Sequence, residues 1–172
     1  MRTTVISVIL LFLIVGGVFT AAAANETGNN SSAVNKTVKG GGGVQPLSWA
    51  SSIEVEPSSI NLGTVYPDGI EKSYPNAVTA SVVYVLSSGD TLSVRATGDL
   101  VNTADSSLMI PLSSLKFSTP SLSKRSFTTS NQNIMTYSGL WGSPSVTMSL
   151  YITVPPYTDP GTYQTTLIYT AT

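Results

Sequence analysis

The stretch VTMSLYITVPPYTDPGTYQTTLIYTAT, residues 146–172, decides the fold class of this chain. Apolar and polar residues alternate along 146–154 and again along 163–171. This period of two is typical of a strand with one buried and one solvated face. The segment 155–161 between the two runs carries prolines, which cannot donate hydrogen bonds within a central strand. The stretch therefore predicts two strands joined by a proline-rich bend.

The same alternation recurs upstream of this stretch. It is clear along 78–86 and 92–96, and the segment Ser87-Ser88-Gly89-Asp90 between them predicts a tight turn that completes a hairpin. Strands spaced about 8–12 residues apart and bounded by turn residues are typical of β-sandwiches and barrels. We therefore predict an all-β chain with a single antiparallel β-sandwich over residues 50–172.

The segment 98–144 carries weaker signals. Residues 108–112 and 115–117 are predicted as short strands, and the pair Leu112 and Leu115 also fits one helical turn. The polar runs 121–125 and 128–132 are predicted as loops.

Residues 1–24 have the three parts of a secretory signal peptide. Arg2 gives a cationic start, residues 5–19 are apolar, and small residues at Ala22 and Ala24 suit signal-peptidase cleavage. A retained transmembrane anchor is the alternative, and it needs about 20 apolar residues. We expect export to the cell surface and a mature chain that begins at Asn25, with no membrane span after cleavage.

Residues 25–49 are predicted to be a disordered tether. Four N-x-S/T acceptors begin at Asn25, Asn29, Asn30 and Asn35, followed by a glycine run at 40–43. Such acceptors in an exported, flexible segment are candidates for glycosylation, and chance matches in a polar linker are the alternative.

The composition excludes several classes of function. The chain has no cysteine and no histidine, and its net charge is −1. Disulfide frameworks and the usual nucleophilic triads are therefore excluded. The chain also lacks the side chains that most often bind zinc, iron and copper. Dispersed charge does not suit a nucleic-acid surface. We expect no nucleic-acid partner, no catalytic site, no cofactor and no metal site.

The carboxylates do not change this expectation. Glu54 and Glu56 are two residues apart and so share one strand face, opposite the apolar Ile53 and Val55. They are predicted to be solvated rather than to form a glycosidase pair. Asp99 and Asp105 could ligate Ca²⁺, and polar turn residues are the favoured alternative.

Aromatic residues are the remaining candidates for binding. Trp141 lies in Ser138-Gly139-Leu140-Trp141-Gly142, which predicts a loop that presents the indole, either as a binding anchor or as a lid over the core. Tyr137 and Tyr157 are the neighbouring binding candidates. Tyrosines on apolar faces are predicted to be core, namely Tyr84, Tyr163 and Tyr169.

Two segments resemble a known family. Pro160-Gly161-Thr162-Tyr163 followed by Leu167-Ile168-Tyr169 is similar to the closing strand, and Glu56–Val65 to the opening strand, of secreted prokaryotic surface proteins of the WxL type and related archaeal proteins. The resemblance implies an Ig-like or WxL-like sandwich at the cell surface. The Trp-x-Leu motifs of that family are missing, since Gly142-Ser143 follows Trp141.

These features predict an exported structural or adhesive protein of the cell surface, with a surface protein or polysaccharide as partner. A carbohydrate-binding module that uses Trp141 and nearby tyrosines is the alternative. The uncharged runs 146–154 and 163–172 predict self-association if either is an edge strand. If both are central strands, they have no free edge.

Overall fold

The computed structural model describes residues 4–15 and 52–172. These ranges form eleven strands: β1 (Thr4–Val15), β2 (Ser52–Glu56), β3 (Ser59–Val65), β4 (Glu71–Ala96), β5 (Leu100–Asn102), β6 (Met109–Ile110), β7 (Leu115–Thr119), β8 (Leu122–Ser126), β9 (Gln132–Gly142), β10 (Ser145–Thr153) and β11 (Gly161–Ala171). One 3-10 turn, Leu112–Ser114, is the helical content of these ranges. The all-β prediction is confirmed.

The strands form one curled sheet. Neighbouring strands follow the order β3-β1-β11-β4-β10-β7-β8, while β2 and β9 also pair with β4, and β5 pairs with β11 and β6. Apart from the parallel pair β1–β3, the pairs are antiparallel. One sheet is seen instead of two, because the first part of β4 pairs with β2 and β10 and its later part with β9 and β11.

The predicted hairpin turn at 87–90 is wrong, because β4 continues through it. The Ser87 hydroxyl donates to the carbonyl of Tyr137 on β9 at 2.9 Å and accepts from the N–H of Asp90 at 3.2 Å. The register between β4 and β9 shifts at this point. Polar residues and a glycine with positive φ, here Gly89, occur in strand bulges as well as in turns. The sequence pattern therefore does not distinguish a bulge from a turn.

The two strands predicted in 146–172 are confirmed as β10 and β11. They do not pair with each other, because β4 lies between them in the sheet. β10 pairs with β4 on one side and β7 on the other. β10 is paired on both sides along 149–152, so that part of it is central in the sheet, and self-association through an edge stays a prediction for the rest of 146–154.

The core follows the alternation of the strands. Val146, Met148, Leu150, Ile152 and Val154 are all buried, as the period of two predicts. The tyrosines predicted as core, Tyr84, Tyr163 and Tyr169, are buried as well.

The middle of the chain matches the prediction in part. β6 lies within the predicted strand 108–112, β7 covers the predicted strand 115–117 and continues to Thr119, and the 3-10 turn precedes Leu115. The predicted loop at 121–125 is wrong, because it belongs to β8, which pairs with β7 at the end of the strand order. β8 is exposed or half-exposed along its length, so it carries no alternation that sequence reading could detect.

Only part of the amino-terminal region lies within the described residues. Within the predicted signal peptide, Thr4–Val15 forms β1, and the cleavage site at Ala22–Ala24 lies outside the described residues. The predicted tether, 25–49, also lies outside them, together with the glycosylation candidates Asn25, Asn29, Asn30 and Asn35.

Candidate functional site

Exposed apolar residues of β4 and β9 lie around Trp141. The indole side chain is 81% exposed and that of Leu140 is 73% exposed, both on β9. On β4 the exposed apolar residues are Val83, Val85 and Leu86. We call these five residues the Trp141 ribbon. Trp141 lies directly opposite Val85 in the register, so these two side chains and that of Val83 share one face.

The predicted loop around Trp141 is a strand instead. Residues 138–142 belong to β9 and pair with β4. The opposite face is held by Tyr84, whose ring lies 4.9 Å from that of Tyr137 and whose hydroxyl donates to the carbonyl of Ser138 at 2.6 Å. Trp141 is therefore presented from a hydrogen-bonded strand pair anchored in the core.

Gly142 allows this arrangement. A Cβ at this position would lie 2.9 Å from the Tyr84 hydroxyl oxygen and 3.0 Å from ring carbons, closer than real side chains approach. The absence of a side chain thus lets the Tyr84 ring lie directly against the strand that carries Trp141.

Tyr137 is not a surface residue, which corrects its prediction as a binding candidate. Its side chain is 5% exposed, and burial raises the pKa of its phenol. Tyr137 lies on β9 opposite Asp90, and its ring supports Tyr84 from within the core.

Tyr157 is exposed as predicted, at 99%, but it lies far from Trp141. Trp141 precedes β10 and Tyr157 follows it. A strand rises about 3.3 Å per residue, so the ends of β10 are roughly 25–30 Å apart. The structure therefore does not bring these two aromatic residues into one platform.

Tyr157 stands beside a shallow cleft of about 360 Å³. The lining is partly apolar, with Met109, Pro111, Pro155, Pro156 and Tyr163, and partly polar, with Ser107, Thr158 and Asp159. Its volume is at the lower end of the range for ligand pockets, about 300–1,000 Å³. The Tyr163 hydroxyl is already used, since it donates to the carbonyl of Asp159 at 2.8 Å.

The candidate carboxylates lie where solvated or turn-forming groups are expected. Glu54 and Glu56 are exposed and line a small polar depression with Thr79 and Ser81. Asp99 accepts from the N–H of Leu112 at 2.8 Å, and Asp105 accepts from the N–H of Ser107 at 2.9 Å. In the part of the chain that the structure describes, no three acidic side chains come together to hold a metal ion.

An ionic cluster that the sequence did not reveal lies on the outer face of the sheet. Glu71 on β4 accepts hydrogen bonds from Lys124 on β8 and from Lys116 on β7, the latter at 3.2 Å. The Lys124 ammonium also lies 4.1 Å from the centre of the Tyr151 ring. The three charged residues are distant in sequence, so a pattern search along the chain gives no signal for them.

The stability contributed by this cluster is expected to depend on pH. The hydrogen bond from Lys124, followed by that from Lys116, holds the pKa of the Glu71 carboxyl below its ordinary value, against the opposing effect of desolvation. A carboxyl with a lowered folded pKa stabilises the fold above its unfolded pKa, and this contribution is lost as the pH falls through the folded value.

We therefore expect Glu71→Gln to destabilise the protein near neutral pH, by less than about 1 kcal/mol because the pairs are partly exposed. Below the lowered pKa of Glu71 the wild type and the variant should have the same stability. Urea unfolding at a series of pH values measures this, with the exposed Glu54→Gln as control. A difference between wild type and Glu71→Gln that persists unchanged in acid would contradict the assignment.

Among the described residues, no helix is long and apolar enough to cross a membrane. Comparison of the chain with protein-family models, with curated proteins and with solved structures found no match.

Proposed function

We propose that this protein is an exported structural or adhesive protein of the cell surface, which acts through non-covalent contacts of the Trp141 ribbon. The observation that carries the proposal is the exposure of Trp141, Val83 and Val85 together on one face of two neighbouring strands, with Leu140 and Leu86 exposed at the adjacent positions. Contiguous exposed apolar residues on a folded domain mark interaction sites.

The physical properties of the ribbon suit a binding anchor. Tryptophan is enriched among the residues that contribute most to binding, because one rigid side chain removes a large apolar area from water. The strand pairing with β4 and the packing of Tyr84 beneath it hold the ribbon in place before binding. Little conformational entropy is then lost when a partner covers it.

The partner class that we propose is a surface protein or polysaccharide, and the function is not enzymatic. Among the described residues, Glu54 and Glu56 are solvated, Glu71 pairs with two lysines, and Asp99 and Asp105 accept backbone hydrogen bonds. The chain offers no cysteine or histidine as nucleophile or base. We also propose that the curled sheet closes around its core as an Ig-like or WxL-like sandwich. The single buried core shared by both parts of β4 supports this.

The test is retention of the protein on the cells that produce it. We expect Trp141→Ala to reduce the cell-bound fraction of the exported protein at least about tenfold, the loss of roughly 1.4 kcal/mol of binding free energy. Tyr157→Ala is the matched control, because it removes another exposed aromatic residue, one that lies beyond the far end of β10. Immunodetection of cell-bound and released protein gives the measurement.

Unchanged retention of Trp141→Ala would contradict the proposal, provided that its unfolding transition matches the wild type. A similar loss for Tyr157→Ala would show that retention depends on exposed aromatic residues in general and not on the ribbon.

A carbohydrate-binding module is the second candidate, favoured by the exposed indole, because sugar rings stack on aromatic faces. Binding of the wild type and of Trp141→Ala to a glycan array distinguishes the carbohydrate-binding module from the structural or adhesive protein. Binding to one defined glycan that disappears in Trp141→Ala favours the module, whereas retention on cells without any glycan signal favours contact with a surface protein.

A further inference from the structure

β1 occupies a slot one strand wide between β3 and β11. It runs antiparallel to β11, from Thr4 opposite Ala171 to Val15 opposite Gly161. It runs parallel to β3, from Leu10 beside Ser59 to Val15 beside Val65. In the described sheet β3 pairs with β1 alone. We call the facing edges of Ser59–Val65 and Gly161–Ala171 the β1 slot.

The strand in this slot is the segment that the sequence predicts to be removed on export. Cleavage after Ala24 would take away all of β1 and leave two edges with unpaired N–H and C=O groups. Proteins usually protect such edges with charged residues or proline. Neither Ser59–Val65 nor Gly161–Ala171 contains a charged residue or a proline, so the slot would be open to pairing with another strand.

The sequence of the strand that pairs in the slot indicates the composition of a suitable donor strand. Thr4–Val15 has the sequence TVISVILLFLIV, which is uncharged and almost wholly apolar. The part of the mature chain that lies outside the described sheet, residues 25–51, offers no comparable run. It carries Glu26, Lys36 and Lys39, the glycine run 40–43 and Pro46. The chain's own tether, or that of a second copy, is therefore a poor substitute for β1.

We propose that the β1 slot of the processed protein binds an extended, uncharged, apolar strand of about ten residues from a different polypeptide. The backbone of the incoming strand would form hydrogen bonds with the free N–H and C=O groups of β11 and β3. It would run antiparallel to β11 and parallel to β3. Main-chain hydrogen bonds along both edges provide affinity, and the alternate side chains of the donor provide selectivity.

The β1 slot and the Trp141 ribbon lie on different strands. The slot is formed by β3 and β11, whereas the ribbon lies on β4 and β9. Trp141→Ala should leave strand uptake unchanged, so failure of one proposal is distinguishable from failure of the other.

The experiment starts from the full chain, which is folded and then cut. A protease recognition sequence replaces the glycine run 40–43, so that cleavage separates β1 covalently from the remaining strands. The probe is a fluorescent synthetic peptide with the sequence of Thr4–Val15, flanked by lysines for solubility and carrying Phe12→Cys. The chain carries Gln164→Cys, because Phe12 lies opposite Gln164 in the register.

This pair gives a specific readout because the natural chain has no cysteine. Opposite residues of antiparallel strands have Cα atoms about 4.5–5.5 Å apart, within the range that a disulfide spans. We expect the peptide to displace the released fragment and to form a disulfide with the Gln164→Cys chain. The control is a chain carrying Glu54→Cys on β2, outside the slot, which should react at least tenfold less.

Three results would overturn the proposal. One is equal cross-linking at positions 164 and 54. Another is that a peptide of residues 25–39 competes as well as the apolar peptide, since the chain's own tether would then fill the slot. The third is an intact mass of the exported protein that still includes residues 4–15, because β1 would then remain in place. A peptide that carries Leu10→Lys should not be taken up. This result would support the requirement for an apolar, uncharged strand.

Discussion

Replacing Phe117 with alanine is expected to lower the free energy of unfolding by about 3–5 kcal/mol. Phe117 on β7 is fully buried, and its ring lies 4.6 Å from that of Phe127. It faces Leu150 of β10 across the strand pair. Removing the ring would leave a cavity between these side chains, which a hydrogen-bonded sheet cannot close by a small shift. Urea unfolding followed by circular dichroism measures the change.

Lys116→Ala is the matched control for Phe117→Ala, because it removes a large side chain from the next position on the outer face. It should cost no more than about 1 kcal/mol, since it breaks one partly exposed ion pair with Glu71. Equal losses for the two variants would show that the β7 region does not pack as described.

Gly161→Ala is expected to destabilise the protein by about 2–5 kcal/mol, although it adds a single methyl group. A Cβ at position 161 would overlap with the side-chain amide of Asn102, which is itself buried. The side-chain Oδ1 of Asn102 accepts from the N–H of Ala104 at 2.8 Å and from that of Asp105 at 3.3 Å. Displacing this amide therefore adds the loss of two turn hydrogen bonds to the steric cost.

Gly98→Ala tests whether this effect is specific. A Cβ at Gly98 would meet no atom within 4 Å, so this variant should change stability by less than about 1 kcal/mol. In the double variant Gly161→Ala/Asn102→Ala the steric overlap is gone. Its loss of unfolding free energy should therefore be smaller than the sum of the losses of the two single variants. Strict additivity would mean that the two residues do not meet.

The sequence alone was sufficient for the class of fold and for much of the core. The alternation of Met148, Leu150 and Ile152 with polar residues is a property of neighbours in the chain, since successive side chains of any strand point to opposite faces. For the same reason the burial of Tyr163 and Tyr169 could be read from their apolar faces. The prolines after Val154 ended the strand wherever it was placed in the sheet.

The Trp141 ribbon was only half visible from the sequence. The sequence predicts an exposed Trp141, and its flanking glycines indicate a loop, whereas in the structure Gly142 makes room for Tyr84 beneath a strand. One signal for the rest of the ribbon was present, namely apolar residues on both faces of 82–86. Tyr137 could not be assigned, because its burial depends on Tyr84, a residue more than fifty positions away.

What only the tertiary structure decided is which strands are neighbours. The bulge that replaces a turn at Ser87, the polar edge strand β8 and the place of Thr4–Val15 between β3 and β11 all depend on partners far along the chain. Strand pairing uses backbone N–H and C=O groups that nearly every residue carries, so the amino-acid pattern of one strand does not name its neighbour. That choice is made by how all the strands together close over one core.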